Sequence, residues 1–582
     1  VTAGARRTAL AALVALALWP ARAGAAATLD DRFTALGEEF IAHWLEHAPQ
    51  VATRLGVHDY DDRLIPVTEG SLAEETAWMK AFRTRLAEVP RARLSFDRAL
   101  ERDVLAARIE RELLNLEVVR PFERNPSAYL DLIAGSVQSL LQRDIASPCE
   151  RTRLAARRLA RVPEVLRAAK INLKNPPRIY TEIAISQYAG ALRFYREVVP
   201  ALTRGCRDPR TQAELAEADS GAVRAVEDFV VYLREGLLPA SHGDFALGKE
   251  VYQRKLASDE METTPVDTLL ARAWQALGEH RTRIDALAER IAPGLGAAAA
   301  IDSLARETPA ADSLVPFVAA QLDRIREFLR ARDLITLPER ENLRVRETPV
   351  YSRSLSFASM DSPGVWEKRA TEAFYNVTPV DDSWSEDRKR DHLSFFNRYS
   401  SEIVSIHEAL PGHYYQFLAL RRVPSRLRQV LGSGSSSEGW AHYCEQMMLE
   451  EGYGGGDPRY ALAQQLLAVQ RLGRFIVGVS LHTQGMTYEQ AVKLFQDQCY
   501  MEPVNAEREA RRGTSDPTYL VYTLGKWRIL ELRDEVRRRL GSRFSLKAFH
   551  DALLRQGNSA LPVVRAGVLH ELGLSAAETD HD

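Results

Sequence analysis

Cysteine is scarce in this chain, with four in 582 residues and no CxxC spacing, which excludes a disulfide scaffold. Charge of one sign is lacking too. Lys plus Arg is 77 and Asp plus Glu is 79, a formal charge of −2. No basic excess points to nucleic acid and no acidic tail is present. Beyond the first twenty residues no run of eighteen apolar residues occurs, so no later transmembrane helix is expected. There is no tandem repeat of 20–50 residues, no G-x-S-x-G elbow, no Walker loop and no Rossmann fingerprint. What is present is ordinary for a globular protein: 45% hydrophobic and 27% charged residues, enough for a sizeable core. At roughly 100–200 residues per domain the length allows three to five domains or two large ones.

The first residues carry a targeting pattern. Arg6 and Arg7 precede an apolar stretch from Thr8 to Trp19, and small residues follow at Ala21, Ala23, Gly24, Ala25, Ala26 and Ala27. This order reads as a secretory signal peptide, with a mature chain starting near Ala27 or Thr28. The stretch falls short of the ~20 residues a membrane span needs. No cysteine follows it, so no lipid attachment site is expected. The expectation is an exported protein, periplasmic or secreted, without stable membrane insertion. Disulfides persist in such compartments. Cys149 and Cys206 flank one helical region and could pair; Cys444 and Cys499 sit among candidate site residues. Four cysteines allow three pairings, and the choice stays open.

Most of the chain reads as amphipathic helix. Segments 96–118, 150–172, 211–237, 265–291, 314–332, 460–476, 516–540 and 546–556 carry apolar residues at three- and four-residue steps. Strand signals concentrate at 343–351 and 373–378. Residues 293–313, rich in Ala, Gly and Asp, read as a mobile connection. The expected fold class is mainly α, a large helical fold with a small β element and a deep zinc-containing cleft. Its division is a signal peptide (1–27), a helical N-terminal half (28–310) and a catalytic C-terminal half (311–582).

The chemistry concentrates in two segments. Residues 406–416 read Ile-His-Glu-Ala-Leu-Pro-Gly-His-Tyr-Tyr-Gln. A His followed by Glu opens many zinc hydrolase motifs, the His as ligand and the Glu as general base. The usual second His, four residues on, is replaced by Pro411, and the next is His413. On a straight helix six residues leave His407 and His413 ~120° apart and ~9 Å along the axis, too far to share an ion. Pro411 and Gly412 permit a break that swings His413 back. Residues 436–446 read Ser-Ser-Glu-Gly-Trp-Ala-His-Tyr-Cys-Glu-Gln. Glu438, His442 and Glu445 then share one helical face, costly to bury unless paired or metal-bound. His₂Glu is an established catalytic zinc set, so the expected ligands are His407, His413 and Glu438, one zinc per chain. His442 and Glu445 are expected to orient the ligands.

Other residues carry weaker signals. His43, His47 and His58 lack partner spacing, and His280, His550, His570 and His581 read as surface or helix-face residues without function. His482, before the Gly485 turn, is a better candidate. In the third segment Asp516 and Pro517 read as a helix start, with Tyr519, Tyr522, Lys526 and Arg533 along one side.

HEALPGHYYQ together with EGWAHYCEQ resembles the bacterial family catalogued as domain of unknown function 885, grouped with zincin-type, gluzincin-like metallopeptidases. Residues 173–177, 347–349, 363–364, His482 and 522–525 also look like its landmarks. The resemblance covers nearly all of the mature chain. It implies a mostly helical fold with a zinc cleft, His407, His413 and Glu438 as ligands, and Glu408 as base. It also places a tyrosine at position 522. The chain departs at Gly478-Val479-Ser480, where many relatives carry Asp-Thr-Gly, so His482 lacks that Asp neighbour.

The expected activity is hydrolysis of peptide bonds, in peptides rather than folded proteins, by an exported zinc metallopeptidase. Glu408 is the expected base, and Tyr522, ahead of His482, the expected oxyanion donor. Tyr375 and Asn376, within 373–378, are expected to pair with an extended substrate as an added strand. The rival readings are a zinc hydrolase of a non-peptide amide and a helical binding protein without turnover.

Overall fold

The computed structural model describes residues 28–338, 340–349, 353 and 357–574. The expected signal peptide and His581 lie outside the described residues. The fold is mainly helical with one three-stranded sheet. Among the described residues no helix is long and apolar enough to cross a membrane.

Apolar spacing sets the helices. In Phe96–Leu114 the buried set Leu100, Val104, Leu105, Ile109 and Leu113 recurs at three- and four-residue steps. Each such side chain contributes about 1.5–3 kcal/mol on burial. Three clusters of buried apolar residues result. One joins 29–113 to Leu427, Leu431 and Val563. A second spans 64–237, and there Cys149 and Cys206 form a disulfide, leaving Cys444 and Cys499 free and buried. The third and largest begins at Tyr252 and runs to Leu574.

The largest core thus takes in residues 252–304 of the expected N-terminal half along with the C-terminal half. Val266–Ile291 lies against Pro458–Thr483, where His280 Nδ1 is 2.6 Å from Gln465 Oε1. Residues 293–313 are not an open connection: Gly296–Leu304 is a helix whose Ala300 and Leu304 enter the largest core. Alanine, read as linker composition, is here the strongest helix former.

The sheet has the order β1-β3-β2, with β1 Leu343–Glu347, β2 Ala358–Asp361 and β3 Ala373–Val377. β1 runs parallel and β2 antiparallel to β3. β2 is short and without alternation, and sequence patterning does not reveal it. The central position of β3 overturns the substrate-binding expectation for Tyr375 and Asn376. Both edges of β3 are already paired, so no substrate strand can be added there. Tyr375 is buried with its hydroxyl 3.2 Å from Ser405 Oγ, and Asn376 Oδ1 accepts from Arg346 Nε at 2.8 Å.

The start expected at Asp516 also moves. Asp516 follows Pro503–Ser515 as its C-cap, and the next helix is Val521–Leu540.

Candidate metal centre

The helix Arg398–Glu408 is held from behind. Its buried Glu402 accepts from Tyr453 and Tyr460 hydroxyls, each at 2.8 Å, and pairs with Arg324. The helix ends in the motif. Leu410–Pro411 is a cis peptide, and the Gly412 N–H donates to the Ile406 carbonyl at 3.0 Å. A new helix, His413–Leu420, starts at once. The chain thus folds back on its own last turn, so closely that a Cβ on Gly412 would lie 1.8 Å from the His407 carbonyl oxygen. Only glycine fits that approach. The His407 and His413 rings end 4.8 Å apart and nearly perpendicular, as a break but no straight helix allows.

The second element is Gly434–Glu450. Ser433 caps its start, and the buried carboxylate of Glu260 accepts from the Gly434 and Ser435 N–H groups at 3.1 and 2.9 Å. The Trp440 indole donates to the Pro411 carbonyl at 2.9 Å, tying this helix to the break. Glu438 Oε2 then stands 3.4 Å from His407 Nε2 and 3.3 Å from His413 Nε2. That oxygen is buried and makes no hydrogen bond. One donor atom each from His407, His413 and Glu438 lies within 4.8 Å of the others. Two imidazole nitrogens converging on one buried carboxylate oxygen fit a divalent cation of the zinc type. The two histidines outweigh burial and hold the Glu438 carboxyl well below the usual carboxylate range.

Glu445 stands behind the triad. It is fully buried, with Oε1 2.8 Å from His407 Nδ1 and Oε2 3.0 Å from His442 Nδ1. Arg471 reaches the same carboxylate at 2.8 and 3.2 Å. Burial opposes ionisation of Glu445, but Arg471 and the histidines outweigh it. The expected division of labour is thereby refined. Glu445 orients His407 directly, while His442 touches Glu445 and is kept well below its ordinary pKa by burial. Arg471 escaped the sequence reading, yet Arg471 and Arg474 within the otherwise apolar run 466–481 are a signal for buried partners, here Glu445 and Glu509.

Glu408 points into a cavity of about 470 Å³ shared with His407, His413, Glu438 and Tyr522. Its Oε2 accepts from the Met360 N–H of β2 at 3.1 Å. Met360, Phe417 and Leu420 give this cavity an apolar side, and Ser359, Gln416 and Asn558 give it neutral polar groups. Tyr522 arrives from Val521–Leu540, which crosses Gly434–Glu450 at two glycines. A Cβ on Gly439 would lie 2.4 Å from Gly525 Cα, and one on Gly525 2.0 Å from the Ser435 carbonyl oxygen. The Tyr522 ring lies 6.4 Å from His407. Burial and the Glu438 charge raise its hydroxyl above the ordinary pKa, against Arg474 and Arg512, so it stays a donor at neutral pH.

His482 is not brought to this site. It is buried, its Nε2 is 2.9 Å from the Gly513 carbonyl, and its ring lies against Phe245 and Tyr252, outside the cavity lining. Its role is to join Pro458–Thr483 to its neighbours, and the catalytic expectation for it is withdrawn.

Comparison with known proteins follows the same outline. The family described as bacterial protein of unknown function (DUF885) matches residues 49–568. No curated protein matches the chain. A protein from Shewanella oneidensis, described as a candidate lipoprotein of unknown function, superposes with a TM-score of 0.78 at 26% identity, covering 92% of this chain and 99% of its own. A candidate lipoprotein from Colwellia psychrerythraea gives 0.80 at 16% identity, covering 94% and 100%.

Proposed function

The chain belongs to the bacterial DUF885 family, and from that premise we propose that it is an exported zinc-dependent metallopeptidase of zincin type that cleaves peptides. The observation carrying this reading is Glu438 Oε2, buried and approached by two imidazole nitrogens at 3.3–3.4 Å, with Glu408 in the same cavity. His407, His413 and Glu438 would hold the ion. Zinc, when bound, polarises a carbonyl and makes water more acidic.

Glu408 takes the proton of the attacking water and passes it to the leaving amine. Tyr522 donates its hydroxyl hydrogen to the carbonyl oxygen as charge develops there. Glu445, braced by Arg471, keeps His407 in the orientation that presents Nε2. The Met360 N–H is directed at Glu408 rather than at β3, so the outer edge of β2 faces the cavity. An extended peptide can lie along that edge by main-chain hydrogen bonds, with a neutral apolar side chain against Phe417 and Leu420. Export is supported by the N-terminal pattern and by neighbours described as candidate lipoproteins.

Metal analysis of the purified protein tests the reading. About one zinc per chain is expected at this centre, lost in His407→Ala, His413→Ala and Glu438→Ala. A peptide-library digest, with small acyl amides in parallel, should stop on chelation and resume with zinc. Persistent cleavage of peptides in the zinc-free protein would sink the proposal.

Tyr522→Phe removes one hydroxyl and keeps the ring between His407 and Arg474. It should lower kcat roughly 10²-fold, the cost of losing one oxyanion donor, with KM little changed. Parental kcat in steady-state assays would return Tyr522 to the core.

A further inference from the structure

We infer that the N-terminal region carries a second metal site, formed by His43, His47 and Glu75, which takes a borderline divalent cation of the zinc class and staples helix Leu29–His47 to helix Glu69–Ala87. The site is independent of the proposed activity. His43 and His47 also precede the family match, which begins at residue 49.

The argument starts from spacing. His43 and His47 are four residues apart on one helix, so they lie one turn above each other on one face. Their rings stack 4.0 Å apart. The third donor comes from a different element: Glu75 Oε2 lies 2.8 Å from His43 Nε2. One donor atom from each of the three lies within 4.8 Å of the others. Two imidazoles and a carboxylate are a known zinc donor set, and such mixed donors suit borderline ions rather than calcium or magnesium.

Two features separate this group from a chance surface cluster. The His47 Nδ1 is 2.8 Å from the His43 carbonyl oxygen, so it carries the proton and leaves Nε2 with a free lone pair. A backbone hydrogen bond of this kind is the usual device for fixing a metal-ligating tautomer. Next, His43 is pinned between His47 and the Trp78 indole, 3.5 Å away and parallel within 2°. The donor at the centre of the cluster is therefore already oriented, and exposed His47 keeps its Nε2 available to an ion.

The test uses the whole protein, stripped with a chelator and dialysed against buffered free zinc at about 10 μM, with bound zinc measured per chain. Parent protein should bind one equivalent more than His47→Ala or Glu75→Gln. This difference is read whether or not the His407 centre holds zinc, so failure of the two sites is distinguishable. In a titration followed to higher zinc, each variant should weaken the affected binding step at least about tenfold. Zinc should also raise the melting temperature of the parent more than that of either variant. His47 is exposed and Glu75 half-buried, so both variants are expected to keep the parental far-UV spectrum. Equal zinc content and equal affinity in parent and both variants would overturn the site, as would unchanged binding in either variant that retains the fold.

Discussion

Glu408→Gln is expected to lower peptide turnover about 10²- to 10⁴-fold while leaving zinc content and melting temperature close to parental. The substitution is selective because of what Glu408 touches. It is not one of the three converging donors, and its hydrogen bond is with the Met360 N–H. A glutamine oxygen accepts that same bond, so β2 keeps its place. What glutamine cannot do is take a proton from water. Steady-state rates on one susceptible peptide, beside metal analysis of the same preparation, check the point. A variant turning over at near-parental rate with full zinc would mean that another carboxylate activates the water; Glu445 is then excluded by burial against Arg471.

Gly412→Ala is expected to remove the metal of the His407 centre together with activity while leaving most of the helical fold. The added Cβ would stand 1.8 Å from the His407 carbonyl oxygen and 2.5 Å from that of Ile406. Both neighbours are backbone, so the clash can be relieved only by opening the turn. Opening moves His413 away from His407 and breaks the Gly412 N–H bond to Ile406. His413 then no longer converges with His407 and Glu438, and a borderline cation loses its third ligand. The remote cores at 64–237 and 29–113 do not depend on this turn, so far-UV circular dichroism should stay close to parental. Zinc at the His407 centre below about one tenth of its parental occupancy is the expected result, in line with the 10–100-fold cost of disturbing a ligand's support. Full zinc in Gly412→Ala would show that the close return of the chain is not what sets His413.

Part of the site was legible because its residues are close in sequence. His407, Glu408 and His413 lie within seven residues, and the conflict between a six-residue step and a straight helix pointed to Pro411 and Gly412 as a break. Glu438, His442 and Glu445 follow helical spacing, so their common face could be read directly. Tyr522 was reachable through the family resemblance, which places a tyrosine at that position. His482 misled because a histidine beside a turn resembles a functional one, whereas its neighbours, Phe245 and the Gly513 carbonyl, come from elements distant in sequence. Tyr375 and Asn376 misled for a similar reason. Strand character was clear, but whether a strand is central or at an edge depends on partners that pair from both sides.

By itself the sequence determined the helical class, the charge-neutral composition, the pattern read as an export signal and the His and Glu residues of two short motifs. These follow from local rules: apolar periodicity, turn residues, and donor chemistry at fixed spacing. Tertiary structure decided the rest. It chose Cys149–Cys206 from three pairings, made β2 the edge facing the cavity, and set Arg471 behind Glu445. It also assigned 249–304 to the core that carries the site, and brought Glu75 beside His43. Each of these joins residues separated by tens of positions in the chain. Their proximity follows from how amphipathic faces stack, and a one-dimensional pattern records that a face is apolar but not which other face covers it.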